Sequence, residues 1–197
     1  MLFRSRVDYE RLIHAELRLL RQRAAPGAIR TASPGDAAAA PAAAPAFDPL
    51  WFAERFRGSQ EYVREKQRFY VPLFRDCAPV LDLGCGRGEF LDLMKEAGVE
   101  ARGVDSSEEC AALCASKGLA AEKADLFAYL EGLPDAAMGG IFCAQVVEHL
   151  PVERLPALIK LAASKLSRGG LMAVETPNPE CLAALAAHFY LDPTHNR

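Results

Sequence analysis

The run Val80-Leu81-Asp82-Leu83-Gly84-Cys85-Gly86-Arg87-Gly88-Glu89-Phe90 is where residue types and spacing could do chemistry. An apolar stretch enters a turn with glycines at 84, 86 and 88, and an amphipathic segment follows without a break. That is a strand, a tight loop and a helix start, the place where an α/β sheet receives a nucleotide-like ligand. The spacing is G-x-G-x-G, not the G-x-G-x-x-G of a dinucleotide site, and Asp82 stands two positions before the first glycine. Both details suit a ligand with no pyrophosphate and with a charged amino-acid end. Asp105 follows Gly84 by 21 positions, at the end of a second expected strand, where a carboxylate accepts both hydroxyls of a ribose.

The elements that must hold these residues alternate from about Phe47 onward. A helix is expected over 57–74 with Tyr62, Phe69 and Leu73 turned inward, ending near Cys77-Ala78-Pro79. Strands are expected over 79–83, over 101–104, in a short run to Ala124, over 140–144 and over 171–175. Helices are expected over 89–97, over 108–117 and from Pro151 to about Leu166, with Gly98, Gly118 and Gly169-Gly170 as their stops. Repeated βα units of this size make a Rossmann-like, doubly wound parallel sheet with helices on both faces. Ligands of such sheets lie beyond the carboxyl ends of the strands. The informative positions are therefore Asp82 to Gly88, Asp105, Asp125, Gln145 to His149, and Glu175 to Pro179.

Two segments precede this domain, which is expected to occupy 47–197. Residues 1–23 contain a helix over 7–23, on which Tyr9, Ile13, Leu17 and Leu20 form one apolar stripe. A helix of this length is marginal alone in water, so docking on the domain or self-association with a second chain would cover the stripe. Residues 24–46 are a proline-interrupted, alanine-rich linker.

Composition narrows the function classes. The 197 residues are 51% hydrophobic and 25% charged, enough for a full core. A net charge of −3 gives no electrostatic reason to expect nucleic acid. Arg18, Arg21 and Arg23 read as a solvated helix face. No run approaches the ~18 apolar residues of a bilayer span, and the first residues lack the apolar core of a signal peptide. Six cysteines show no C-x-x-C pair and no histidine at zinc spacing, so no metal site and a reducing, cytoplasmic setting are expected.

VLDLGCGRGEF, GVD after the second strand, AD-LF after the third and AQVVEHLP after the fourth together resemble the class I methyltransferases that use S-adenosylmethionine (SAM). The likeness covers residues 57–197. It implies strand order 3-2-1-4-5. It also implies that strands 6 and 7 of the family fold are missing here, so the domain is expected to be incomplete at its C-terminus with strand 5 at an open edge. Gly84, Cys85, Gly86 and Gly88 would pass under the methionine end, and Asp82 would receive its ammonium group. Asp105, with Ser106 beside it, would hold the ribose. Asp125 and the Leu126 N–H would read the adenine, Gln145 would line the sulfonium side, and Arg57 would meet the cofactor carboxylate.

A narrower likeness joins FRGS (Phe56 to Ser59), VVEHLP, ETPNP (Glu175 to Pro179) and FYLDPTH (Phe189 to His195). Together they resemble methyltransferases of bacterial surface-polysaccharide assembly and imply a glycan acceptor. EHLP-like motifs also occur in quinone- or phenol-type O-methyltransferases, so a small-molecule acceptor is the alternative. A non-catalytic SAM-binding module is another. Methyl transfer from a sulfonium chiefly requires alignment, and a hydroxyl acceptor gains from a base near neutral pKa. His149, and His195 next to Asp192, are the candidate bases, with Glu148 to orient the acceptor or hold a metal.

Overall fold

The computed structural model describes residue 50 and residues 57–178. The expected N-terminal helix, the linker and the FYLDPTH segment with His195 lie outside the described residues. The described chain runs α1 (Gln60–Gln67), a 3-10 turn (Arg68–Tyr70), α2 (Val71–Phe74), β1 (Val80–Leu83), α3 (Glu89–Glu96), β2 (Ala101–Asp105), α4 (Glu108–Ser116) and β3 (Ala121–Lys123). It continues through α5 (Leu126–Gly132), β4 (Met138–Ala144), 3-10 turns at Val147–His149 and Val152–Arg154, α6 (Leu155–Lys165) and β5 (Leu166–Glu175).

The five strands form one sheet in the order β3-β2-β1-β4-β5, the expected order. Every pairing is parallel, and Asp82 lies opposite Gly103 on β2 and Phe142 on β4. Order reverses between β1 and β4, which makes the tips of β1, β2 and β4 the rim of the crevice. All four residues of β1 are buried, as a central parallel strand covered on both faces must be.

Alternation along the strands feeds two cores. Leu81, Leu83, Ile141 and Cys143 pack with Leu130, Leu158 and Ala162 of α5 and α6. Val80 and Phe142 pack on the other face with Phe74, Phe90, Leu93 and Met94. There Phe90 stacks on Phe142 at 3.9 Å, and Phe74 meets both edge-on at 5.3 and 5.9 Å. Burying each such ring contributes roughly 1.5–3 kcal/mol, so this face anchors the helix that follows the glycine turn.

Four local expectations are corrected. The helix over 57–74 is two pieces joined by a 3-10 turn ahead of Pro72, and that break rotates its faces. Val63, Gln67 and Phe74 turn inward, whereas Tyr62, Phe69 and Leu73 are exposed. Helix α5 was not expected at all. Strand β4 begins at Met138, two residues early. Strand β5 begins at Leu166, so Gly169-Gly170 lies inside the strand and not at a helix end. The register slips there, with Met138 facing Leu166 but Gly140 facing Leu171. Pairing with β4 carries the extra residues as a bulge.

Candidate functional site

The chain leaves β1 and must reverse in five residues. Gly84, Gly86 and Gly88 all take positive φ, at 73°, 52° and 81°. Such angles cost an L-residue about 1–2 kcal/mol. Space is also closed at Gly84, where a Cβ would run into Cγ2 of Val146. At Gly88 a Cβ would sit 2.8 Å from both Sγ of Cys114 and Cδ1 of Leu119.

The direction of the loop N–H groups decides what the turn can bind. Gly84 and Cys85 both donate to the carbonyl of Val104, at 2.8 and 3.0 Å. Gly86 donates to Oδ2 of Asp105 at 2.8 Å, and Gly88 to the carbonyl of Cys85 at 2.9 Å. A phosphate loop points such groups at its anion. Here these four N–H groups are taken by Val104, Asp105 and Cys85, so the turn allows close approach while the donors of its glycines are already engaged.

The two acids lie on neighbouring strands, within electrostatic reach of each other. Asp105 receives Gly86 N–H on one oxygen and Ser107 N–H, at 2.9 Å, on the other. Each oxygen retains a further lone pair for a ligand. Asp82 is only 3% exposed. Burial pushes its carboxyl well above the usual range, Arg57 opposes the shift, and Glu89 and Asp105 reinforce it. A desolvated acid of this kind is poised to accept a cation.

Arg57 lies over the turn, with Nη1 3.1 Å from where a Gly86 Cβ would stand. Its Nε is buried and has no hydrogen-bond partner among the described residues.

Two sequence choices take other roles. Cys85 turns its side chain into the core with Leu91, Cys114 and Leu119. A hydrogen bond with Cys114, then burial, pushes its thiol upward. With its N–H also bonded to Val104, Cys85 shapes the turn and offers a ligand neither group. Asp125 caps α5, accepting from the N–H groups of Phe127 and Ala128, both at 3.0 Å. Leu126 is the first residue of α5, so its N–H has no acceptor within the helix. Ser106 is exposed; its neighbour Ser107 bonds Asp105 and caps α4.

The far side of the crevice is built from side chains. Gln145 adopts φ 57° at the tip of β4, donating its N–H to the Glu175 carbonyl at 2.8 Å and its Nε2 to Glu175 Oε1 at 3.1 Å. Tyr70 Oη donates to Glu175 Oε2 at 2.7 Å. Burial, then this carboxylate, pushes the phenol up to about 12, so Tyr70 stays a donor. Glu148 is buried and accepts from Thr176 Oγ1 at 3.1 Å. His149 is half-buried in the 3-10 turn behind Gln145. Sequence reasoning missed Tyr70, which carries no local signal; Val146 lies inside the informative 145–149 range, but its contact with the Gly84 turn is not legible there. Among the described residues, no three His, Cys, Asp or Glu side chains converge as a metal-ligating group. No helix among them is long and apolar enough to cross a membrane.

A glycine turn flanked by acids on two neighbouring parallel strands is thus set at the rim of the crevice of an α/β sheet. The family model for a methyltransferase domain matches residues 52–196, and the chain belongs to that family. A SAM-dependent methyltransferase from Archaeoglobus fulgidus is similar at 44% identity and a TM-score of 0.72, over 75% of this chain and 66% of that one. A ubiquinone biosynthesis O-methyltransferase of Methylococcus capsulatus is 30% identical over 54% of this chain and 46% of its own length. One of Idiomarina loihiensis is 32% identical over 50% of this chain and 42% of its own length. The chain thus spans less than half the length of the curated relatives it matches.

Proposed function

We propose that the domain binds SAM and transfers its methyl group to a hydroxyl acceptor. The observation that carries this is the buried Asp82 beside a turn whose Gly84, Cys85, Gly86 and Gly88 N–H groups are already engaged. A desolvated acid at such a turn fits a cationic amino acid joined to a nucleoside better than a pyrophosphate. Asp82 takes the ammonium, Asp105 the ribose diol, Leu126 N–H an adenine nitrogen, and Arg57 the carboxylate. Gln145 lines the sulfonium side, held by Glu175. SAM supplies an activated methyl group. The chain's own residues align the acceptor, and His149, or His195 beyond the described residues, removes the hydroxyl proton.

The names of the two O-methyltransferase relatives support a phenolic, quinone-type acceptor. The FRGS, ETPNP and FYLDPTH wording supports a glycan hydroxyl instead. Titration calorimetry with SAM, followed by methyl-transfer assays on a catechol and on a sugar acceptor, separates these from a SAM-binding module without turnover. His149→Ala is expected to keep SAM affinity and lose turnover at least about a hundredfold. Undiminished turnover in both His149→Ala and His195→Ala excludes histidine as the base, and absence of SAM binding excludes the function.

A further inference from the structure

Arg87, between Gly86 and Gly88 of the turn, is only 3% exposed, and so is Glu89 two residues on. Arg87 Nε donates to Glu89 Oε1 at 2.7 Å, a buried ion pair two residues apart. Replacing such a pair with apolar side chains is often neutral or stabilising, so stability alone does not explain it. Arg87 Nη2 donates to the carbonyl of Gly58 at 2.8 Å, across 29 residues of sequence. Gly58 has φ 95°, a conformation that favours glycine, and it directly follows Arg57. A second strap runs in parallel. Lys117 Nζ donates to the Arg87 carbonyl at 2.6 Å and to Gln60 Oε1 at 2.7 Å. Both straps tie the 57–60 segment to the glycine turn, and Arg57 is the residue they leave over Gly86.

We infer that Arg87, fixed by Glu89, is a positioning residue that sets the Arg57 guanidinium over the turn for the α-carboxylate of the cofactor. The inference rests on the SAM-binding proposal and adds how selectivity for the carboxylate arises. The N–H groups of Gly84, Cys85, Gly86 and Gly88 are engaged within the protein and are not offered to the carboxylate. The charge must come from another segment, and Arg87 holds that segment in register. Glu89 keeps the fork from rotating. Lys117 adds a second restraint through Gln60 and the Arg87 carbonyl.

The test compares SAM with decarboxylated SAM, which lacks only the carboxylate, by calorimetry on the full chain. Wild type is expected to favour SAM by roughly tenfold or more, the worth of a hydrogen bond to a charged group. Arg57→Ala erases the preference. The apolar pair Arg87→Met with Glu89→Leu removes both charges of this ion pair together. It is expected to lose most of the preference, with affinity for decarboxylated SAM within about twofold of wild type, and to add nothing in an Arg57→Ala background.

If that variant does not fold, Arg87→Lys keeps a charge beside Glu89 but cannot span both partners, and should lose part of the preference. An unchanged preference in whichever variant folds overturns the inference, as does equal weakening toward both compounds. Wild type binding both equally also overturns it while leaving SAM binding intact. Wild type binding neither overturns the functional proposal itself.

Discussion

The two ends of the crevice are built from different materials. At the tips of β1 and β2, backbone N–H groups meet a carboxylate or a carbonyl only 2 to 20 residues away, and three glycines fix the path. At the tips of β4 and β5, side chains bond side chains across long separations. Tyr70 and Glu175 stand 105 residues apart, Gln145 and Glu175 thirty, Glu148 and Thr176 twenty-eight. The first arrangement specifies one shape and tolerates little change. The second can exchange partners while the sheet stays as it is. On the proposed function, the cofactor would meet the first arrangement and the acceptor the second.

The contrast breaks first, and hardest, at Gly84. Gly84→Ala should destabilise the domain by about 2–5 kcal/mol, from strained backbone and overpacking against Val146. Urea denaturation measures it. Adding Val146→Ala should restore the packing part and leave the backbone part. Full restoration would mean that φ carries no strain.

Next is Asp105. Asp105→Ala leaves the Gly86 and Ser107 N–H groups without their acceptor and should weaken SAM binding at least about tenfold. An unchanged dissociation constant would remove Asp105 from the ribose.

Asp82 sharpens the contrast through pH. Its folded carboxyl is raised, above all by burial. The contribution it makes to stability is therefore complete below the ordinary aspartate range and is lost as pH rises through the raised value. Asp82→Asn should gain stability over wild type across that rise. A SAM ammonium favours the ionised acid, so binding should release a proton and tighten with pH in wild type. Calorimetry in buffers of different ionisation enthalpy detects the proton, and Asp82→Asn should abolish it. Release that persists in Asp82→Asn would place the titrating group elsewhere.

The smallest effect belongs to the far side. Tyr70→Phe should cost about 1 kcal/mol of stability and leave SAM affinity within about twofold, since distant sites act independently. A large loss of SAM affinity would show that the two ends are coupled.

The same division governs what the sequence made legible. Strand order and the glycine turn follow from hydrophobic runs and from residue types whose spacing is local. Asp105 was placed from its distance to Gly84, and Gly86 N–H indeed meets it. Asp125 shows the limit. An acid before Leu-Phe-Ala-Tyr-Leu is a helix start signal, yet only a ligand role was seen, and α5 went unnoticed. The early start of β5 was hidden because Gly169 and Gly170 look like a helix stop until pairing with β4 is known. Tyr62, Phe69 and Leu73 were assigned inward by assuming one unbroken period, which the turn at 68–70 interrupts. Arg87 and Tyr70 find partners 29 and 105 residues distant, and no local pattern announces them.

The oxygens of Asp105 are already aimed by two peptide groups. The rotamer freedom of that side chain is surrendered when the chain folds, and on the proposed assignment a ribose would meet an acceptor that is preorganised for it. Ligand capture at this corner should therefore involve almost no change of shape, leaving the rate of release as the quantity on which affinity turns.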